Sequence, residues 1–363
     1  MSGAARRRSA AAARSPAWKC VTLSLLMSLG GCAQVALAQR PSGSLLQDVT
    51  FSRYSPLSRN AEIARRTLTP LTFRAAQQAL LARGQTLREQ PIDLAREKFT
   101  VYVPAAAPPK SGYGLLVFVA PWPEATRPNF WRPPLDRHGL IFVAAENSGN
   151  EVKVLDRRMP LALLAYENVR ARYPLDPKRV YVGGLSGGSR VAEMTALGYP
   201  DVFRGALLNA GSEPIGGEQG MYLPPAELFE KFQQTRLVYV TGSQDDLNLH
   251  DDLISRDSMR EWCVFNVEVR EAPRLGHEPL DASSLNRALD ALEQPSAVDA
   301  GKLLQCNASL QRELSSRLAE AEAAIARGDR RDARARIMAI DARYGGVAGK
   351  AILELDAKLA AHQ

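Results

Sequence analysis

Gly184-Leu185-Ser186-Gly187-Gly188 is the stretch best suited to chemistry. Apolar Val180, Tyr181 and Val182 lead into it, and a helix-forming segment from Val191 to Leu197 follows. A serine on a tight strand-to-helix turn is the context of a nucleophile elbow. Glycines around the serine let the turn approach neighbouring strands. The helix then points free N–H groups at the place where negative charge develops when a hydroxyl attacks a carbonyl. The chemistry is acyl transfer through a serine nucleophile.

Serine is a weak nucleophile at its ordinary pKa and needs a base, which a third group must orient. With this elbow, the chain order is serine, then an acid, then histidine. The chain has four histidines, His138, His250, His277 and His362. His138 precedes the serine and His362 is the penultimate residue. His277, in a loop between the strand-like Val267 to Val269 and the helix from Ala282, is the expected base. His250 follows the acid too closely and reads as a helix-start or solvent residue. Asp245, at the end of Leu237-Val-Tyr-Val-Thr-Gly-Ser-Gln-Asp245, is the expected acid, with Asp246 as the alternative. Asp251 and Asp252 read as first-turn helix residues facing the dipole.

An oxyanion needs two donors. Gly187 supplies one backbone N–H. The other belongs to the loop Ala120-Pro121-Trp122-Pro123, where the prolines have no N–H and Trp122 remains. The Trp122 and Trp131 side chains could line a substrate pocket or simply pack in loops. The stretch from Ser212 to Pro225, with Met221 and Tyr222, is a candidate lid, and Tyr222 a candidate pocket residue. The four cysteines lack the spacing of a zinc site, and no metal or organic cofactor is expected.

Residues that do chemistry need elements to hold them. Strand-like runs occur at 99–103, 115–119, 140–143, 180–182, 206–208, 237–240 and 267–269, several of them continuously apolar, as strands buried on both faces should be. Helical stretches separate the later ones, at 157–173, 189–197, 225–233, 251–262 and 282–292. This alternation, over about 200 residues, predicts one α/β domain with a mostly parallel sheet. The boundaries expected are a leader over 1–38, an N-terminal helical and extended segment over 39–97 (helical from Asn60 to Leu81 with a break at Pro70), a sheet domain over 98–296, and a C-terminal helical extension over 297–363. One Ala-Ile-Ala-Arg-Gly-Asp motif at 324–329 is similar to a helix of a tetratricopeptide repeat, but a single unit makes no solenoid. A helical hairpin packed on the sheet domain is the expected arrangement.

On Tyr181-Val-Gly-Gly-Leu-Ser-Gly-Gly188, Thr241-Gly-Ser-Gln-Asp245 and Gly276-His277, the chain resembles the α/β-hydrolase superfamily, and within it secreted polyhydroxybutyrate-depolymerase-like and feruloyl-esterase-like serine esterases. The resemblance covers about 95–295 and implies an α/β-hydrolase fold with Ser186, Asp245 and His277 as the triad. It departs from the family at Ala120-Pro121, where His-Gly is usual. The expected activity is hydrolysis of small or polymeric esters. A prolyl-oligopeptidase-like peptidase and a non-catalytic envelope binding protein on the same scaffold are the alternatives. The first would normally bring a β-propeller, and no blade-like repeat is visible.

The 363 residues carry 46 Lys+Arg against 39 Asp+Glu, a net charge of +7; 45% are hydrophobic and 23% charged, which excludes a wholly disordered or fibrous chain. The charge is concentrated at the start. Residues 1–38 hold Arg6, Arg7, Arg8, Arg14 and Lys19 and no acid, so removing them leaves +7 less five, or +2. This gives no basis for nucleic-acid binding. An apolar run from Val21 to Leu29 follows the basic cluster, too short to span a bilayer. Ala36-Leu37-Ala38 fits a signal-peptide cleavage site before Gln39, whereas Leu29-Gly30-Gly31-Cys32 resembles a lipobox that would lipidate Cys32 and so anchor the chain to a membrane. Either route predicts export. An oxidising compartment would allow a disulfide between Cys263 and Cys306, with two unpaired buried thiols as the alternative.

Overall fold

The computed structural model describes residues 43–217, 220–294 and 298–361. The leader, its cleavage site and Cys32 lie outside them, as does His362. In chain order the elements are β1 (Ser44–Val49), α1 (Asn60–Thr67), α2 (Pro70–Leu81), β2 (Phe99–Val103), β3 (Tyr113–Val119), α3 (Arg132–Arg137), β4 (Leu140–Ala145), α4 (Met159–Arg172), β5 (Leu175–Leu185), α5 (Gly187–Gly198), β6 (Gly205–Asn209), α6 (Ala226–Phe232), β7 (Arg236–Gly242), α7 (Asp246–Glu261), β8 (Val267–Ala272), α8 (Ala282–Glu293), α9 (Ala300–Ala326), α10 (Arg330–Tyr344) and α11 (Gly349–Ala361).

Eight strands form one sheet in the order β1-β2-β4-β3-β5-β6-β7-β8. β2 pairs antiparallel with β1 and β4, and every other pair is parallel. This is the α/β-hydrolase arrangement. The strand order reverses around β3 and β5, and in open α/β sheets the crevice beyond the carboxyl ends of such strands is where ligands bind. Val119 ends β3 there, and Ser186 follows β5.

The apolar runs are continuous because both faces of the sheet are covered. Leu115, Val117 and Val119 of β3 join one core cluster, whereas Leu116 and Phe118 join the other. Leu285, Leu289 and Leu292 of α8 cover the second face. Trp131, read as either a pocket residue or loop packing, belongs to this second core. It is 1% exposed, donates its indole N–H to Leu280 O at 2.7 Å, and meets Phe118 and Phe142 edge-on. An indole with one satisfied polar atom packs well in a core.

β1 lies in a segment too polar to read as a buried strand. It alternates between partly buried and exposed positions, as a sheet edge does. The break at Pro70 is a helix restart: Thr69 accepts from Thr72 N, and Pro70 occupies the first turn, where its missing N–H costs nothing. The start expected at Asp251 falls at Asp246, so Asp251 and Asp252 are interior to α7 and not in its first turn.

The described residues form one compact unit. Leu314 and Ile325 of α9, Ile337, Ile340 and Tyr344 of α10, and Ile352 and Leu355 of α11 extend the first core cluster. A disulfide joins Cys263, just past α7, to Cys306 in α9. The two ends of the unit also meet. Leu71 N donates to Asp341 Oδ1 at 3.2 Å, and Arg74 pairs with Asp356 at 2.6 Å.

Candidate active site

Ser186 sits between β5 and α5 with φ 56° and ψ −125°, a left-handed backbone unusual for a residue with a side chain. Its N–H donates to Asn209 O at 2.8 Å, and its carbonyl accepts from Ser189 N at 2.9 Å, so both neighbours hold the strained turn. The glycines are needed for closeness. A Cβ on Gly184 would lie 2.6 Å from Ser189 N, and one on Gly188 would overlap the Val119 carbonyl oxygen. The elbow is thereby pressed onto the end of β3.

Ser186 Oγ lies 2.8 Å from His277 Nε2, and His277 Nδ1 lies 2.7 Å from Asp245 Oδ2. His277 comes from the loop after β8, and Asp245 is the residue before α7. With Nδ1 protonated and donating to Asp245, Nε2 is left to accept the serine proton. Asp246 is exposed in the first turn of α7, and His250 is exposed on the same helix. Among the described residues, neither is bonded to Ser186 or His277. Asn248, in the first turn of α7, donates through Nδ2 to both oxygens of Asp245, each at 2.9 Å. Burial pushes the Asp245 carboxyl up, but bonds from Asn248 and His277 outweigh it and hold the pKa below its ordinary value. Sequence reasoning missed Asn248. An Asn three residues past the acid, on a helix expected to start later, carries no signal of its own.

The amides of Gly187 and Trp122 form no hydrogen bond among the described residues. Gly187 N–H opens α5. Trp122 lies in a braced loop: Pro121 O accepts from Asn150 N at 2.9 Å, and Pro123 O accepts from Asn147 N at 2.6 Å. The Trp122 indole donates to Thr126 Oγ1 at 3.1 Å. The Asn150 carboxamide abuts Gly187, 2.9 Å from where a Cβ there would place its carbon.

Beneath the elbow runs a buried polar chain. Asp252 accepts from Ser212 Oγ at 2.8 Å and Thr241 Oγ1 at 2.7 Å, and burial pushes its pKa to about 6. Glu193 on α5 accepts from Tyr239 Oη and from Glu213 N. Burial pushes its pKa to about 8. Both acids support the segment after β6 that walls the site.

A cavity of about 510 Å³ opens beside Gly187. Leu68, Leu155, Val191, Met194 and Met221 give it an apolar lining, Tyr222 forms part of its wall, and Arg158, Arg190 and Glu213 add charge. The segment expected as a lid is anchored from behind. Gly217 N donates to Arg343 O at 3.3 Å, and Gly346 N donates to Leu223 O at 2.8 Å.

No family model matches the chain. A stretch of 45 residues, 12% of the chain, is 49% identical to poly(3-hydroxyalkanoate) depolymerase C of Paucimonas lemoignei, and spans 11% of that protein. Among solved structures, the chain is similar to a thermostable esterase at 16% identity and a TM-score of 0.40, covering 54% of this chain and 58% of the other. A thermophilic esterase from Thermogutta terrifontis gives 17% identity and 0.41, covering 55% and 87%. A ferulic acid esterase gives 15% and 0.40, covering 53% and 89%. The fold assignment rests on the strand order and not on these scores.

Proposed function

We propose that this protein is an exported serine hydrolase that cleaves carboxylic esters through an acyl-enzyme. Ser186 Oγ attacks the ester carbonyl while His277 Nε2 takes its proton. Asp245 keeps the imidazole in the required tautomer and balances the imidazolium. The carbonyl oxygen, now negative, receives the amides of Gly187 and Trp122. The carbon–oxygen bond to the alcohol breaks, and His277 returns the proton to the departing oxygen. Water then repeats the sequence, with His277 as its base, and frees the acid and Ser186. Asn248 is a positioning residue acting through Asp245.

One observation carries this reading: Ser186, His277 and Asp245 are in unbroken hydrogen-bond contact, at 2.8 and 2.7 Å, where β5 turns into α5. The 45-residue likeness to a depolymerase, whose substrate is a polyester, favours esters over amides. Export is supported by the basic, then apolar, leader and by the Cys263–Cys306 disulfide, a bond that persists in oxidising compartments. Mass spectrometry of the mature N-terminus separates a start at Gln39 from a lipidated Cys32, and an intact leader on the exported protein would refute both.

A fluorophosphonate probe tests the nucleophile. The mature protein should be labelled and Ser186→Ala should not. Label retained by the variant refutes the assignment. Nitrophenyl esters should be hydrolysed and peptide amides spared; cleavage of amides alone refutes the ester reading.

A further inference from the structure

The cavity beside Gly187 has a direction. His277 protonates the leaving alcohol, so the alcohol must lie on the His277 side. None of the residues lining the cavity comes from the His277 or Asp245 loops. The cavity therefore lies on the acyl side. Its volume is in the range that holds a small ligand.

Arg158 does not fit a purely apolar acyl pocket. It is 4% exposed and lines the cavity. Nε donates to Ser148 O at 2.8 Å and Nη2 donates to Ala120 O at 2.9 Å. Nη1 has no partner among the described residues, and no carboxylate among them lies within ion-pair distance of the guanidinium. Glu151 acts on it only through space, and burial holds its pKa below the ordinary arginine value. Arg190, the other cation of the cavity, is already matched, by Glu213 at 2.9 Å and Asp251 at 3.6 Å. A buried charge without a counterion is costly and is rarely retained without use.

We infer that the cavity is a subsite for an acyl group ending in a carboxylate, with Arg158 as its anion reader, so that the preferred substrates are half-esters of dicarboxylic acids. The inference rests on the ester-hydrolase reading and narrows its substrate class. The apolar lining accepts the methylene chain, and the guanidinium offers Nη1 to the terminal carboxylate as a charge-assisted donor. The two backbone bonds fix the guanidinium before substrate arrives.

The test compares mono-4-nitrophenyl adipate and suberate with 4-nitrophenyl hexanoate and octanoate. The wild type should favour the half-esters in kcat/KM. Arg158→Gln should reduce that preference ratio by about tenfold to a hundredfold, the scale of a lost bond to a charged group. Arg158→Lys keeps the charge and should retain most of the ratio, even if the overall rate falls. A wild type that favours the neutral esters overturns the inference, as does an Arg158→Gln variant with an unchanged ratio. A binding arm separates the two readings. Adipate, and not the uncharged hexanamide, should raise the melting temperature of Ser186→Ala, and the added Arg158→Gln should abolish that rise. If adipate stabilises while no ester is cleaved, the hydrolase reading fails and the subsite stands. If esters are cleaved but adipate gives no shift, the subsite fails and the hydrolase reading stands.

Discussion

Glu193 gives the molecule a pH dependence whose sign follows from its burial. Unfolded, the carboxyl releases its proton near 4.5; folded, it holds it to about 8. Between these values the native state binds the extra proton, so stability is greatest at the acid end and falls as pH rises. Each pH unit costs about 1.4 kcal/mol, and the loss from pH 4.5 to 7 is about 3 kcal/mol. For a unit of this size that corresponds to about 5 °C in melting temperature. The carboxylates held below their ordinary pKa, among them Glu62, Glu293 and Glu313, act in the opposite sense, but their contribution is complete above about pH 5. Asp252 adds a loss of the same sign that ends near pH 6. Glu193→Gln isolates the effect. Its uncharged carboxamide can still accept from Glu213 N, and its NH2 can donate to Tyr239 Oη where the carboxyl oxygen accepts from that hydroxyl. Denaturant unfolding from pH 5 to 8 should show the wild type falling relative to the variant by the slope above. Parallel curves, or a wild type that gains on the variant as pH rises, would refute the buried-acid account.

Two further outcomes follow from named contacts. Replacing Cys263 and Cys306 together by serine opens a loop spanning a sequence separation of 43. The chain-entropy model assigns that closure about 4 kcal/mol, so calorimetry should find the melting temperature lower by about 6 °C, and an unchanged midpoint refutes a stabilising role. Asn248→Ala removes the donor shared by both Asp245 oxygens. Steady-state kinetics should show kcat lower by roughly tenfold with KM little changed, because the bonds orient the acid and touch no substrate; a loss confined to KM contradicts this.

The strands were legible because a sheet covered on both faces demands uninterrupted apolar runs, and Leu115 to Val119 or Leu237 to Val240 could satisfy little else. Ser186, Asp245 and His277 were legible because their order and their strand ends constrain one another. The supporting residues were not. Glu193 and Arg158 are charged side chains in helical stretches, and their sequence neighbours give no sign that they are buried. Asp252 read as a first-turn helix residue because the start of α7 was placed five residues late. Trp131 was left open between pocket and packing because an aromatic in a loop after the substrate-side strand serves a pocket or a core equally well. The edge strand β1 was hidden by its half-polar sequence.

The meeting of the two chain ends sets a condition on the order of events in the cell. Leu71 finds its acceptor 270 residues later and Arg74 its carboxylate 282 residues later. Contacts of such separation are the slow ones to form. A ribosome delivers the sheet before α10 and α11, so a growing chain can collapse early yet cannot close α2 against these helices until they have been made. A polypeptide truncated before Asp341 would carry every residue proposed for catalysis and still lack the closure that joins its beginning to its end.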